Sequence, residues 1–179
     1  MPAAPAAASP VVRRLAAVSP EQLEALAELL IDCVDGGASV SFMQPLTMAR
    51  ALSFWRGIAA EVERGERVLL VAEDGLGLVG SVQVVLAQPE NQPHRGDVSK
   101  MLVLRRARRC GLGAALMKAA ADAAREHGKS LLVLDTASAD AERLYARLGW
   151  QRCGVIPGYA LLPQGGLCDT TYFYHRLDQ

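Results

Sequence analysis

The sequence predicts one α/β (α+β) domain built on a mixed, mostly antiparallel sheet. β-rich runs and helical patterns follow one another in the order β-α-α-β-β-β-α-β-α-β-β. The early strands join through short turns and so form antiparallel hairpins. A strand–helix–strand crossover, the connection that makes a parallel pair, comes only later. The chain's 179 residues match what one hydrophobic core serves, typically about 100–200.

The elements follow in order. Residues 1–10, MPAAPAAASP, hold five Ala and three Pro, with no basic segment and no long apolar run. They read as a disordered tail and not a signal peptide, leaving 11–179 as the domain. Residues 11–18 (VVRRLAAV) read as the opening strand. Ser19-Pro20-Glu21-Gln22 then gives a helix start, with Ser at the cap, Pro in the first turn and Gln three residues on. Leu23, Leu26, Leu29 and Leu30 line one face at helical spacing, and Gly36-Gly37 ends the helix. A loop, ASVSFMQP, leads to a second helix over 47–64, with Leu52, Trp55, Ile58, Ala59 and Val62 inward. The runs 67–73 and 79–87 flank Asp74-Gly75 as a hairpin. Further strands are predicted over 97–104, 131–134, 151–156 and 170–177, and helices over 112–127 and 139–148.

Nineteen Lys+Arg balance nineteen Asp+Glu, and the sequence pI is near 6.8. A neutral chain lacks the broad positive field that nonspecific binding to nucleic acid or anionic lipid needs. Only nine aromatic residues are present to stack on bases. An RNA- or DNA-binding reading therefore rests on one local Arg run. No stretch reaches the roughly 20 apolar residues of a membrane span. Cys33, Cys110, Cys153 and Cys168 show neither CxxC spacing nor a His at ligand spacing, which predicts no zinc site and reduced thiols in a cytoplasmic protein. His94, His127 and His175 are isolated, and no metal is expected.

The pattern GxGxxG occurs at Gly75, Gly77 and Gly80. A β-rich run follows where a dinucleotide fingerprint needs a helix, so this is a hairpin turn. A different segment carries chemistry: Arg105-Arg106-Ala107-Arg108-Arg109-Cys110-Gly111-Leu112-Gly113-Ala114, between a strand and a long amphipathic helix. Gly111, Gly113 and Ala114 allow close approach to the backbone, and the first-turn amides lack intrahelical partners. With the helix dipole and four Arg in five positions, this predicts a phosphate site.

R-x-x-G-x-G at Arg108, Gly111 and Gly113, after the strand MLVL, resembles the coenzyme-A motif of GNAT-type N-acetyltransferases. The resemblance covers roughly residues 12–177. A second segment, Ala141-Glu142-Arg143-Leu144-Tyr145-Ala146-Arg147-Leu148-Gly149-Trp150, is similar to the family's A-x-x-L-Y-x-x-x-G-[FY]. It differs in Trp150, a volume change in the core, and in Ser138, which stands where the family commonly has Asn. The resemblance implies the GNAT fold, with six to seven strands, about four helices and a splay between the fourth and fifth strands. It implies acetyl-CoA as cofactor, with its pyrophosphate on the amides of Arg109, Cys110, Gly111, Leu112, Gly113 and Ala114. The pantetheine arm would pair with the strand edge at Met101, Leu102, Val103 and Leu104. Ser138 and Tyr145 complete the expected cofactor contacts.

Several segments resemble the tabtoxin-resistance branch of this family, from plant-pathogenic pseudomonads. They are 36–40, Phe42-Met43, the strand 98–104 with Lys100, Leu134-Asp135-Thr136 and Pro157-Gly158-Tyr159. That branch acetylates the amino group of a β-lactam amino-acid toxin, so a toxin- or antibiotic-resistance role is implied.

Amide formation from an amine and a thioester requires deprotonation of the ammonium, stabilisation of the oxyanion and protonation of the leaving thiolate. The resemblance gives Tyr145 the role of general acid and Asp135 that of base, with water the alternative base. A backbone N–H near Leu102, freed by a bulge, is the expected oxyanion donor. The acceptor pocket is expected to draw on the 35–43 loop, the second helix and the 157–171 loop, with Asp35, Ser39, Phe42, Trp55, Gln83, Tyr159 and Asp169 as the candidates. The function expected is acetyl transfer to a small-molecule amine, by a monomer or homodimer. The alternative is a non-catalytic CoA-binding sensor on the same fold.

Overall fold

The computed structural model describes residues 10–177. Apart from Pro10, the tail expected over 1–10 lies outside them. The elements are β1 (Val11–Leu15), α1 (Pro20–Asp35), α2 (Met48–Glu63), β2 (Arg67–Asp74), β3 (Gly77–Val85), β4 (Arg95–Val103), α3 (Leu112–Glu126), β5 (Leu131–Thr136), α4 (Ala139–Arg147), β6 (Gln151–Leu161) and β7 (Leu167–Arg176). They form one seven-stranded sheet in the order β1-β2-β3-β4-β5-β7-β6. Every neighbouring pair is antiparallel except β4 and β5, which the α3 crossover makes parallel.

Local chemistry explains the helix starts. Ser19 Oγ accepts from the Gln22 amide at 3.3 Å while the Ser19 amide donates to Gln22 Oε1 at 2.9 Å. This reciprocal cap is worth about 1 kcal/mol. Alternation along β2 serves both faces of the sheet. Leu69 and Val71 pack with α1 and α2, whereas Val68, Leu70 and Ala72 pack in the core that contains the apolar face of α3.

Several strand limits need correction. β1 stops at Leu15, paired with Leu69, and residues 16–18 leave the sheet for the Ser19 cap. β3 spans Gly77–Val85 rather than 79–87, and β4 starts earlier, at Arg95. β6 does not end at 156. Residues 157–159 lie opposite Asp169 between the pairs Ile156–Thr170 and Ala160–Cys168, so the Pro-Gly is absorbed as a bulge and the strand runs on to Leu161. Its partner β7 accordingly begins at Leu167.

The splay is explicit in the register. β4 pairs with β5 only from Arg95–Leu131 to Asp97–Val133. Beyond that point the two strands diverge, and the edge of β4 from Val98 onward faces a cleft.

Candidate active site

The cleft between β4 and β5 has a volume of about 1400 Å³. It runs from the start of α3, past the ends of β4 and β5, to the 36–43 loop and the β6–β7 hairpin.

At the first end, Gly111 caps α3 with φ +84°, a left-handed conformation that glycine adopts without strain. The first intrahelical bond runs from the Ala115 amide to Gly111 O at 3.1 Å. The amides of Leu112, Gly113 and Ala114 are thus left without intrahelical acceptors. The Arg run, read above as four charges acting together, is divided. Arg105 is held by Asp32 (2.8 Å) and Arg106 by Asp74 (2.6 Å). Asp32 lies near the end of α1 and Asp74 at the end of β2, both within reach of the single 3-10 turn formed by Arg105–Ala107. Arg108 turns back, its Nε donating to Val103 O at 3.1 Å, and so fixes the loop to the strand. Arg109 lines the cleft and has no ion-pair partner among the described residues; neither has Arg147, which α4 brings to the same cleft.

Met101, Leu102 and Val103 line the cleft along the open edge of β4. Leu104 does not; it packs between the two cores, its amide bonded to Val79 O. Cys110 is also off the cleft, its thiol donating to Ala107 O. A bulge does sit beside Leu102. Lys100 and Met101 lie opposite Val82, between the pairs Ser81–Leu102 and Gln83–Ser99. Lys100 takes φ +49°, and Ser81 Oγ donates to its carbonyl at 3.1 Å.

Tyr145 and Asp135 both line this cleft, from the helix α4 and the end of β5. Tyr145 is 5% exposed, its ring against Trp150 and Phe173 at centroid distances of 5.9 and 5.8 Å. Burial, and secondarily the charge of Asp135, pushes its phenol well above the ordinary value, so it stays protonated at neutral pH. Trp150 is a core residue stacked on His175. Asp135 is exposed, and its Oδ2 accepts from Thr170 Oγ1 at 2.7 Å. Ser138 lines the cleft, but its hydroxyl caps α4 by accepting from the Ala141 amide at 3.3 Å.

At the other end, four of the seven expected acceptor residues line the cleft: Ser39, Phe42, Tyr159 and Asp169. Asp169 accepts from the Gly158 amide at 2.9 Å, and Tyr159 Oη meets Tyr172 Oη at 3.1 Å. The other three do not reach it. Trp55 is fully buried in the α1–α2 core. Gln83 is fully buried behind the cleft, its Oε1 accepting from Arg67 at 2.6 Å. Asp35 accepts from Gln44 Nε2 at 3.0 Å and borders a separate shallow pocket of about 510 Å³. Ser41 and Cys168 also line the cleft, from the 35–43 and 157–171 loops expected there, although neither residue is singled out by the sequence. Sequence reasoning missed Lys100 and Arg147 as cleft residues. Helical spacing of Arg147 from Leu144 and Arg143 could have placed it, whereas nothing local marks Lys100.

Among the described residues, no group of His, Cys, Asp and Glu could hold a metal ion, and no helix is long and apolar enough to cross a membrane.

Residues 24–150 match the Acetyltransferase (GNAT) family. The fold is similar to an N-acetyltransferase from Staphylococcus aureus Mu50 at TM-score 0.79 and 16% identity, covering 95% of this chain and 99% of that one. It is similar to a putative acetyltransferase from Salmonella typhimurium, solved with its cofactor acetyl-CoA, at TM-score 0.77 and 20% identity over 95% of each chain. A phosphinothricin acetyltransferase from Sinorhizobium meliloti in complex with acetyl-CoA matches at TM-score 0.78 and 17% identity, over 93% of this chain and 88% of that one.

Proposed function

The chain belongs to the acetyltransferase (GNAT) family, and from that premise we propose that it moves the acetyl group of acetyl-CoA to the primary amine of a small molecule, by direct attack in a ternary complex. One observation carries this reading: a single cleft joins the open amides at the start of α3 to Tyr145, Asp135 and a separate polar-aromatic end.

Acetyl-CoA supplies an activated thioester, and the residues present suit it. The amides of Leu112, Gly113 and Ala114, with Arg109 and Arg147, complement a pyrophosphate. The open edge of β4 offers backbone groups to the amide-bearing arm. Asp135 takes the proton of the attacking ammonium through its Oδ1, the oxygen that Thr170 leaves open. The neutral amine nitrogen would bond to the acetyl carbon as the carbon–sulfur bond breaks; Tyr145 would donate its phenolic proton to the departing sulfur, and the second proton shed by the nitrogen would restore the phenol. The bulge at Lys100–Met101 interrupts the ladder where an amide is needed for the carbonyl oxygen.

For the acceptor, the reading extends to a toxin or antibiotic amino acid, such as the β-lactam amino acid of the tabtoxin-resistance branch. Supporting it are the motif likeness at 36–40, Phe42-Met43 and 157–159, the placement of Ser39, Phe42 and Tyr159 on the cleft, and the phosphinothricin acetyltransferase among similar folds. The test is release of CoA thiol from acetyl-CoA in the presence of a panel of amino acids and amines. We expect release with amino-acid acceptors and a loss of about 10²-fold or more in Asp135→Asn. Tight CoA binding with no thiol release from any acceptor would make the chain a sensor instead.

A further inference from the structure

We propose that Lys100 selects the acceptor: its ammonium binds a carboxylate that the acceptor carries beside the reacting amine. The proposal rests on the acetyl-transfer reading and names the residue that would recognise the acceptor's carboxylate, which that reading leaves without a partner.

Lys100 stands at the β4 bulge in a left-handed conformation, a device that re-aims a side chain out of strand alternation. Its Nζ lies 3.2 Å from Ser41 Oγ and 5.6 Å from the Phe54 ring centroid. Ser41 is itself held at φ +77° in the 36–43 loop. Phe54 meets Phe42 edge-on at 5.2 Å, and Phe42, Ser41 and Lys100 all line the cleft.

An ammonium has three donors and no acceptor. A half-buried one needs several acceptors or an anion to offset the water it has lost; Lys129 has the carbonyls of Leu86 and Pro93 at 2.8 and 2.7 Å, whereas Lys100 has only Ser41 Oγ. The other part-buried cation nearby has an anionic partner: Arg67 is paired with Glu61 at 2.6 Å. Lys100 has none, since no carboxylate among the described residues lies within 4.0 Å of its Nζ. Desolvation accordingly pulls its pKa down, Arg67 adds to the effect, and Asp135 opposes it. Asp135 faces the same cleft without pairing to Lys100, and Thr170 occupies only one of its oxygens. Asp169 at this end is tied to the β6 bulge by the Gly158 amide; Lys100 and Asp135 are the cation and the anion left facing the cleft. That is the complement of an amino acid, with its carboxylate on Lys100 and its ammonium on Asp135. A simple amine would leave Lys100 unpaired.

The experiment compares acceptors that differ only in the carboxylate: leucine with isopentylamine, phenylalanine with phenethylamine, lysine with cadaverine. With acetyl-CoA saturating, kcat/KM is measured for each pair in the wild type, Lys100→Met and Lys100→Arg. Differences in amine basicity within a pair cancel in the ratio of variant to wild type. The expected result is a preference for the carboxylated member that falls about 10- to 100-fold in Lys100→Met and is largely kept in Lys100→Arg. A wild type indifferent to the carboxylate, or a preference that survives in a folded Lys100→Met, overturns the proposal. Failure of acetyl transfer with every acceptor would instead sink the acetyl-transfer reading. Binding of N-acetyl-leucine against N-isopentylacetamide to the CoA-loaded protein, by calorimetry, then decides the role of Lys100. A carboxylate preference lost in Lys100→Met supports it, and equal binding refutes it.

Discussion

The two ends of the cleft are built differently. The end at α3 is made mostly of backbone: three free amides, a left-handed Gly111 and the open edge of β4, all within residues 98–114. The opposite end is made of side chains that arrive from distant segments: Ser41 and Phe42 from the loop after α1, Lys100 from β4, Asp135 from β5, Tyr159 from β6. A backbone site tolerates change in the surrounding side chains and so keeps one ligand. A site of converging side chains changes ligand with a single substitution. The cleft is therefore fixed at one end and adjustable at the other.

Tyr145 sits between the two ends, so it provides the sharpest test of their separation. Tyr145→Phe is expected to lower kcat about 10²- to 10³-fold for every acceptor while leaving CoA affinity within a few-fold. Weakened CoA binding of comparable size would mean that Tyr145 belongs to the cofactor end. The same variant has an alkaline signature. The folded phenol titrates above its ordinary value of 10.0 because it is buried. The folded state then holds its proton where the unfolded state has lost it, so this group's stability is complete below pH 10 and drains away as pH rises further. Thermal melts from pH 9 to 11 should decline less steeply in Tyr145→Phe.

Gly111→Val attacks the backbone end alone. A β-branched residue at φ +84° costs about 1–2 kcal/mol, and a shifted loop withdraws the amides it presents. CoA affinity should fall about tenfold or more by calorimetry, equally in the presence of good and poor acceptors. An effect confined to one class of acceptor would break the division between the ends.

That division also explains what was legible in the sequence. The cap at Ser19, the Gly111 turn and the α3 start depend on neighbours within a few residues, and their spacing gives them away. The continuation of β6 through Pro157-Gly158 does not. Those residues signal a turn locally, and only Asp169 on the partner strand, accepting from the Gly158 amide, makes them a bulge. Trp55 and Phe54 show the same limit at one position's distance. Both carry aromatic rings on α2, yet one is fully buried and the other forms the wall under Lys100. Lys100 itself looks like an ordinary strand residue until the register shift against Val82 is known.

The smallest effect separates charges that the sequence presents as one run. Arg106 and Arg109 lie three positions apart, but Arg106 is already bound to Asp74 at 2.6 Å and is off the cleft, whereas Arg109 lines it unpaired. A guanidinium satisfied by a carboxylate has little left to offer a phosphate. An open one adds about one charge-assisted hydrogen bond, about 1.5 kcal/mol. Arg109→Ala should therefore weaken CoA about tenfold at low salt, and less as salt screens the contact. Arg106→Ala should leave CoA affinity unchanged at every salt concentration. Equal losses in the two variants would mean that the run acts through its summed field. The backbone end would then depend on charge density, and the amides of α3 would carry less of the phosphate than their geometry implies.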